Sequence, residues 1–392
     1  MKISEVSVVR VGGLYTPPKF PCGNRQALQL DVYPEFNVDP NFGHAEPHVI
    51  HAHYVRIQTD DGITGLYGPI DGYQIDPILR SLRPLLIGRD PLASEFLFDL
   101  MVRLDRHGRS GYFMTSFSAI DCALWDLKGK AWNQPVFRLL GGPTRASVPA
   151  YASMLGFSID PAQAAKVAIE YASMGYSAQK WFFRYGPVDG HDGLEKNLAM
   201  ASAVREAVGP HYRLMFDAFM AWDMPYAREM LSHLEPLNPT WMEEPLPPER
   251  VGSFVELRQS STVPLATGEH VYTRWQTKEL LVAGAADFLQ NDPDWTGGIT
   301  ELTKVCSLAS SFDIPVVPHG HSLHPALHVA GAQSPTTVPY VEFLIRHQAH
   351  KQAFHQDPIY PVNGNVELPK SPGLGIELDD ARIQSHETIA LG

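Results

Sequence analysis

An α/β chain, with a parallel β/α barrel behind a smaller α+β domain, is the fold class that the sequence predicts. Its 392 residues exceed one ordinary domain and suit a large barrel with a smaller partner. From residue 148 onward, short apolar runs alternate with amphipathic helical stretches, eight times over. That many units predict a closed parallel barrel rather than an open sheet. Ahead of residue 148 the pattern differs, with a few strands followed by helices.

In order along the chain, VSVVRV (6–11) and HYVRIQTDDGITGLYG (53–68) read as strands, the second segment turning at Asp61-Gly62. Between them runs a Pro-, Gly- and Asn-rich stretch, about 14–48, with few periodic apolar positions. A loop that long in a compact domain is expected to be mobile and functional. Helical segments follow at about 75–87, 91–105 and 115–132, the last with apolar residues at helical spacing. The barrel runs are VPAYASM (148–154), AQKWFF (178–183), RLMFD (213–217), TWMEE (240–244), PLATGE (264–269), ADFLQND (286–292), IPVVPH (314–319) and VPYVEF (338–343). Asp160-Pro161 and Asp192-Gly193 serve as helix starts. The stretch PGLGIELDD (372–380) reads as a return to the N-terminal domain.

Hydrophobic residues make up 44% and charged residues 19%, which allows a real core. A formal charge of -12 argues against nucleic acid, whose phosphates need clustered Lys and Arg. Cys22, Cys122 and Cys306 are far apart and form no CxxC pair, so reduced thiols are expected rather than a disulfide framework. No run reaches signal-peptide or membrane-spanning character. A soluble, cytoplasmic protein without membrane contact is the expectation.

In a β/α barrel, chemistry sits where strands end and loops begin. Asp217 closes RLMFD, Glu243 lies in WMEEPL, and Glu269 closes PLATGE, equally spaced along the chain. One β/α unit separates each from the next, which places three carboxylates on consecutive strands. A single such acid is commonly a helix cap or a solvated charge. Three in register repel one another unless a cation compensates, and an all-oxygen set suits Mg²⁺ better than Zn²⁺. Glu244 is the weaker ligand candidate, because in an extended chain it faces away from Glu243.

Asp292 ends the sixth run and His319 the seventh, so adjacent strands bring them within reach. A carboxylate on one imidazole nitrogen fixes the tautomer and raises the basicity of the other. Asp294, of the same strand parity, is the alternative partner. The chain has 17 histidines, and His321, His324 and His328 are assigned to the following loop and helix. His270, directly after Glu269, is a candidate substrate contact. Lys180, in AQKWFF, reads either as a core-edge lysine reaching solvent or as a cation beside a substrate carboxylate. Glu342, ending the last run, is a candidate neutral acid donating a hydrogen bond to that carboxylate.

The order Asp217, Glu243, Glu269, Asp292 and His319 resembles the mandelate racemase subgroup of the enolase superfamily. So do AIDCALWDLKGKA and PVFRLLGG (119–142) and the GEH at 268–270, and the resemblance spans nearly the whole chain. It implies a modified (β/α)7β TIM barrel (148–350) under an α+β capping domain (1–147) that carries the loop, with residues 351–392 packing back on the cap. It also implies Mg²⁺ on Asp217, Glu243 and Glu269, an Asp292–His319 base dyad, a metal-stabilised ene-diolate, and a homo-oligomer. Racemases of the subgroup carry Lys-x-Lys on the second strand, whereas this chain reads Lys180-Trp181-Phe182. Without a second base on the opposite face, elimination is expected over racemisation. The loss, and the stretch RYGPVDG (184–190), are similar to the acid-sugar dehydratases, rhamnonate dehydratases among them. The expected activity is dehydration of an aldonate to a 2-keto-3-deoxy acid, with Arg184 as a further substrate contact.

Three other readings compete. An epimerase would need Arg184 or a loop histidine as the second base. His51-Ala52-His53 has the spacing of two metal ligands on one strand face, as a zinc amidohydrolase would use. A sugar-acid binding protein on an inherited barrel would need neither.

Overall fold

The computed structural model describes residues 1–38, 46–321 and 323–390. The segment 39–45 of the expected mobile loop lies outside the described residues. Three long strands, β1 (Ile3–Tyr15), β2 (His48–Thr59) and β3 (Thr64–Ile70), form an antiparallel sheet. β1 runs four residues beyond the expected apolar run, because its partner His48–Thr59 continues the ladder as far as Tyr15↔His48. The C-terminal strand Ser385–Thr388 pairs with β1 on the open edge, as the expected return of the chain requires.

Helix Gly111–Ala131 joins this sheet to the barrel. It is buried on nearly every face, which suits a helix wrapped by protein rather than one lying on a surface. Its acids accept main-chain hydrogens from three directions. Asp126 accepts from Leu66 N (2.8 Å) on β3 and from Leu374 N (2.7 Å) in the C-terminal segment. Asp121 accepts from Thr300 N (2.9 Å) on a barrel helix. Burial pushes the Asp121 carboxyl up to about 7, against the hydrogen bonds from Thr300.

The barrel strands are β4 (Ser147–Ser153), β5 (Ala178–Phe182), β6 (Arg213–Asp217), β7 (Trp241–Glu243), β8 (Leu265–Thr267), β9 (Phe288–Leu289) and β10 (Val341–Leu344). They pair in parallel in the order β10-β4-β5-β6-β7-β8-β9, each followed by a helix as a right-handed β/α crossover demands. The seventh expected run, 314–319, is held by a single bridge, Leu289↔Val316, rather than a ladder. Two prolines in IPVVPH remove the donors a longer ladder would need. Between β4 and the C-terminal sheet edge, Asn365–Glu367 adds an antiparallel strand to β4.

No helix among the described residues is long and apolar enough to cross a membrane.

Candidate active site

The barrel interior is floored by one apolar layer: Tyr151, Ala178, Met215, Trp241, Ala266, Val317 and Tyr340. Side chains on a strand repeat in direction every second residue. Two positions further toward the strand ends therefore come Ser153, Lys180, Asp217, Glu243, His319 and Glu342, all pointing into the barrel mouth. The ladder sets Asp217 opposite Glu243 and Ser153 opposite Lys180, with Lys180 one inward step deeper, opposite Met215. A polar ring above an apolar floor is thus a direct product of strand period and register.

Lys180 stands at the centre of that ring and is buried. Its ammonium lies 2.5 Å from Glu243 Oε1, 3.0 Å from Glu342 Oε1 and 3.2 Å from Asp217 Oδ2. Burial opposes its charge, yet Glu243 and Glu342 keep its pKa well above the ordinary lysine value. The solvent-reaching reading of Lys180 is excluded by this geometry. Trp241 Nε1 donates to the other Glu243 oxygen at 3.0 Å.

The carboxylates outnumber the cations that touch them. Burial, then Glu243, pushes the Asp217 pKa well above its usual range, against the pull of Lys180. Burial raises Glu269 to about 7, with His319 and His270 opposing and Glu244 adding to the rise. Carboxyls forced upward by one another's charge accept a cation readily. Asp217, Glu243 and Glu269 supply buried oxygens from three consecutive strand ends, so this donor set fits a hard, oxygen-seeking ion such as Mg²⁺.

A second grouping lies beside it, in which ligand atoms of Glu244, Glu269 and His270 fall within 4.8 Å of one another. Here the oxygens of Glu244 are already engaged, by Thr267 Oγ1 (2.9 Å), Gly268 N (3.5 Å) and His270 Nδ1 (3.0 Å). Glu244 therefore braces His270, which lies 3.5 Å from Glu269. Thr267 alternates with the inward-facing Ala266, so the Glu244 carboxylate lies on the face opposite Glu243. β7 ends at Glu243, and Glu244 takes a φ of 33°, which turns its carboxylate toward β8.

His319 Nδ1 lies 3.0 Å from Asp292 Oδ2, and its Nε2 faces Glu269 Oε2 at 3.8 Å. Asp292, not Asp294, is the partner. Burial works against the imidazolium, but Glu269, Asp292 and Glu342 together raise His319 to about 10. A cation on Glu269 would offset the largest of these raising charges.

One expected role is corrected. Glu342 is ionised rather than neutral: burial would raise it, but Lys180, His319 and Ser153 hold it down to about 2. It accepts from Gly320 N at 2.8 Å. Arg184 meets the N-terminal loop. It is buried beneath the N-terminal loop, with Nη2 donating to Asn37 Oδ1 (2.9 Å) and Nη1 reaching Asp31 Oδ2 (3.5 Å). Arg25 clamps the same Asp31 with two bonds of 2.9 and 2.6 Å. The described part of the loop is further pinned by Ala27 N to Phe183 O (2.7 Å) and Asn24 N to Phe157 O (3.3 Å), so it is seated over the strand ends rather than free.

His51 and His53 lie on β2 opposite Gly12 and Arg10, within the antiparallel sheet, and belong to no ligand cluster among the described residues. Phe182 occupies the inward position of the missing second lysine, its ring 5.1 Å from the Lys180 ammonium. Sequence reasoning passed over Trp295, whose indole stacks on His319 at 4.8 Å and lies 5.5 Å from the His270 ring. It also passed over the pairing of Asp294 with His321. The signal was present as two acids and two histidines, each spaced by two at neighbouring strand ends.

The chain is similar in sequence and fold to known proteins. Residues 163–382 match the enolase C-terminal domain-like family, and residues 44–141 match the N-terminal domain of mandelate racemase and muconate lactonizing enzyme. L-rhamnonate dehydratase of Saccharopolyspora erythraea is 33% identical over 370 residues, covering 90% of this chain and 89% of that protein. D-galactarolactone cycloisomerase of Agrobacterium fabrum is 33% identical over 342 residues, covering 83% and 88%. The structure of rhamnonate dehydratase from Gibberella zeae complexed with Mg superposes with a TM-score of 0.83 at 29% identity, over 97% of this chain and 95% of that one. With both of its halves matched and its carboxylate ring and dyad in place, the chain belongs to the mandelate racemase and muconate lactonizing enzyme family of the enolase superfamily.

Proposed function

We propose that this protein is a Mg²⁺-dependent dehydratase of an acid sugar, removing the proton next to the carboxylate and then the 3-hydroxyl. The observation that carries the reading is the asymmetry of the barrel mouth. One side presents the His319–Asp292 pair, and the other presents Phe182 and a Lys180 locked among three carboxylates. Proton removal and return on opposite faces would need a base on both.

Asp217, Glu243 and Glu269 would hold the metal, as the complex of the Gibberella zeae relative with Mg supports. When bound, Mg²⁺ supplies positive charge that offsets the negative charge developing on the substrate carboxylate. His319 takes the C2 proton on Nε2, while Asp292 fixes Nδ1–H and stabilises the imidazolium. The C3–O bond then breaks, and the same imidazolium gives its proton to the departing hydroxyl, which leaves as water. The enol so formed tautomerises to the 2-keto-3-deoxy acid. Lys180, beside Glu342 at the centre of the ring, is placed to meet the substrate carboxylate. His270 stands beside Glu269 for a hydroxyl contact. The N-terminal loop, anchored through Arg184, excludes water.

Incubating the protein with Mg²⁺ and a panel of aldonic and aldaric acids, with semicarbazide detection of 2-keto products, tests the reading. Conversion of L-rhamnonate or a related aldonate supports it. Silence on every open-chain acid, together with turnover of an acid-sugar lactone, would favour a cycloisomerase, the activity named for the Agrobacterium relative. Self-association is part of the same reading and is measured by light scattering.

A further inference from the structure

The strand ends that carry Asp292 and His319 each bear a second residue of the same type two positions on. Asp292-Pro293-Asp294 faces His319-Gly320-His321, and the structure pairs them side by side. His319 Nδ1 lies against Asp292, and His321 Nδ1 lies against Asp294 Oδ2. The two imidazole planes are 18° apart, with centroids separated by 6.4 Å. The main chain of the second pair holds the first. Asp294 N–H donates to Asp292 Oδ1 at 2.6 Å, and His321 N–H donates to Asp292 Oδ2 at 3.2 Å. Both oxygens of the dyad carboxylate are therefore aimed by the backbone of residues 294 and 321.

That second pair is held from the capping sheet. Tyr67, on β3, donates its hydroxyl to Asp294 Oδ1. Asp71, just beyond β3, comes within 3.9 Å of His321 Nε2. Tyr67, Asp294 and His321 line one small cavity, about 20 Å³, together with Lys351. Burial alone would raise the Asp294 carboxyl, but His321 and Tyr67 hold it below its usual range, so it accepts as an anion from barrel and cap at once. A carboxylate with each oxygen committed in this way cannot rotate without giving up a charge-assisted bond.

We propose that Asp294, His321 and Tyr67 are positioning residues, forming a clasp through which the capping sheet sets the orientation of the Asp292–His319 pair. The clasp rests on the reading of His319 as the base. The His321 ring is turned toward the cap, so this second histidine acts on the first through its main-chain N–H, shared between Asp292 Oδ2 (3.2 Å) and His319 Nδ1 (3.3 Å). Seating of the cap and alignment of the base are then one event, because the hydroxyl that reaches Asp294 belongs to the capping sheet. Partners of this kind that orient a functional histidine are worth about ten-fold or more in activity.

Two variants test it, Tyr67→Phe and His321→Asn, each characterised by crystal structure and by kinetics with L-rhamnonate, or the aldonate that the acid panel yields. In both, kcat is expected to fall about ten-fold with KM held within about two-fold, and the crystal structures to show His319 Nδ1 drawn out of bonding distance from Asp292. Asp294→Asn, which keeps the shape of the side chain, guards against a mere folding defect; with an unchanged melting temperature it should show the same displacement. An unchanged His319–Asp292 geometry in correctly folded variants overturns the clasp. If the native protein turns over no acid sugar, the functional reading falls, while the crystal structures alone still decide the clasp.

Discussion

Replacing Lys180 by methionine removes the cation at the centre of the carboxylate ring without removing its volume. Its three ion pairs, at 2.5, 3.0 and 3.2 Å, are each worth on the order of 5 kcal/mol at an effective dielectric of about 20, before the cost of desolvation. The net loss on deleting one partner of a buried pair is about 3–5 kcal/mol, and that is the destabilisation expected in metal-free buffer. The variant escapes part of it by protonating a carboxyl. Lys180 is the main group lowering Asp217 and Glu342, so both hold protons more tightly without it. A carboxyl raised in the folded state binds more protons there than when unfolded, so stability falls as pH rises. The deficit should therefore be smaller at pH 5 and grow toward pH 8. Metal should act in the opposite sense. Lys180 sits on Asp217 and Glu243, and a unit charge about 4 Å from a divalent ion costs about 8 kcal/mol at that dielectric. Relief of even a sixth of this, about 1.4 kcal/mol, is a ten-fold gain in affinity. Urea unfolding with and without Mg²⁺, together with calorimetric titration of the metal, measures both effects. Unchanged metal-free stability, or Mg²⁺ binding no tighter than in the native protein, would refute the placement of Lys180 as the ring's counter-ion.

Three further outcomes are expected. His319→Asn should abolish exchange of the substrate α-proton in D₂O while calorimetry still detects Mg²⁺ binding; retained exchange removes His319 from the base role. Arg184→Met frees Asn37 and leaves Asp31 to Arg25 alone, so limited proteolysis within 20–38 should quicken and KM should rise more than kcat falls; an unchanged cleavage rate refutes the anchor. Burial lowers His328 to about 4, so between pH 6.5 and about 4 the unfolded chain takes up a proton that the folded chain refuses. Stability is lost as pH falls through that window, by about 3 kcal/mol in all. The stability advantage of the native protein over His328→Gln should shrink by that amount from pH 7.5 to pH 4 in urea titrations, and a pH-independent difference would exclude it.

The metal-ligand candidates and the dyad were legible because they depend on two regular features. Strand period sets which side chains face inward, and equal β/α units set which strand ends stand side by side. Asp217, Glu243, His319 and Lys180 follow from those alone, and the floor of Met215, Trp241, Val317 and Ala178 two residues below them confirms the parity. The path of the N-terminal loop has no such period. Nothing in residues 16–38 announces that Asp31 and Asn37 would meet Arg184, because that pairing is made by a chain crossing from one domain to the other.

The misread carboxylates fail for a related reason. Whether Glu342 is neutral or ionised is decided by Lys180 and His319, which approach it from other strands, and a strand-end position carries no record of them. The reach of Glu244 to His270 was missed because alternation was extended one residue past the point where the strand stops and φ turns positive. In both cases the error lies at the barrel mouth, where regular geometry gives way to contacts made across the fold. Chemistry is concentrated there for the same physical reason. Only beyond the last ladder bond can a side chain leave its strand's parity, and Glu269 does so to reach its neighbours. The pairing of His321 with Asp294 shows the opposite case, a relation written in the sequence at strand period. It stays silent until the hydroxyl of Tyr67, from another domain, shows which way the pair faces.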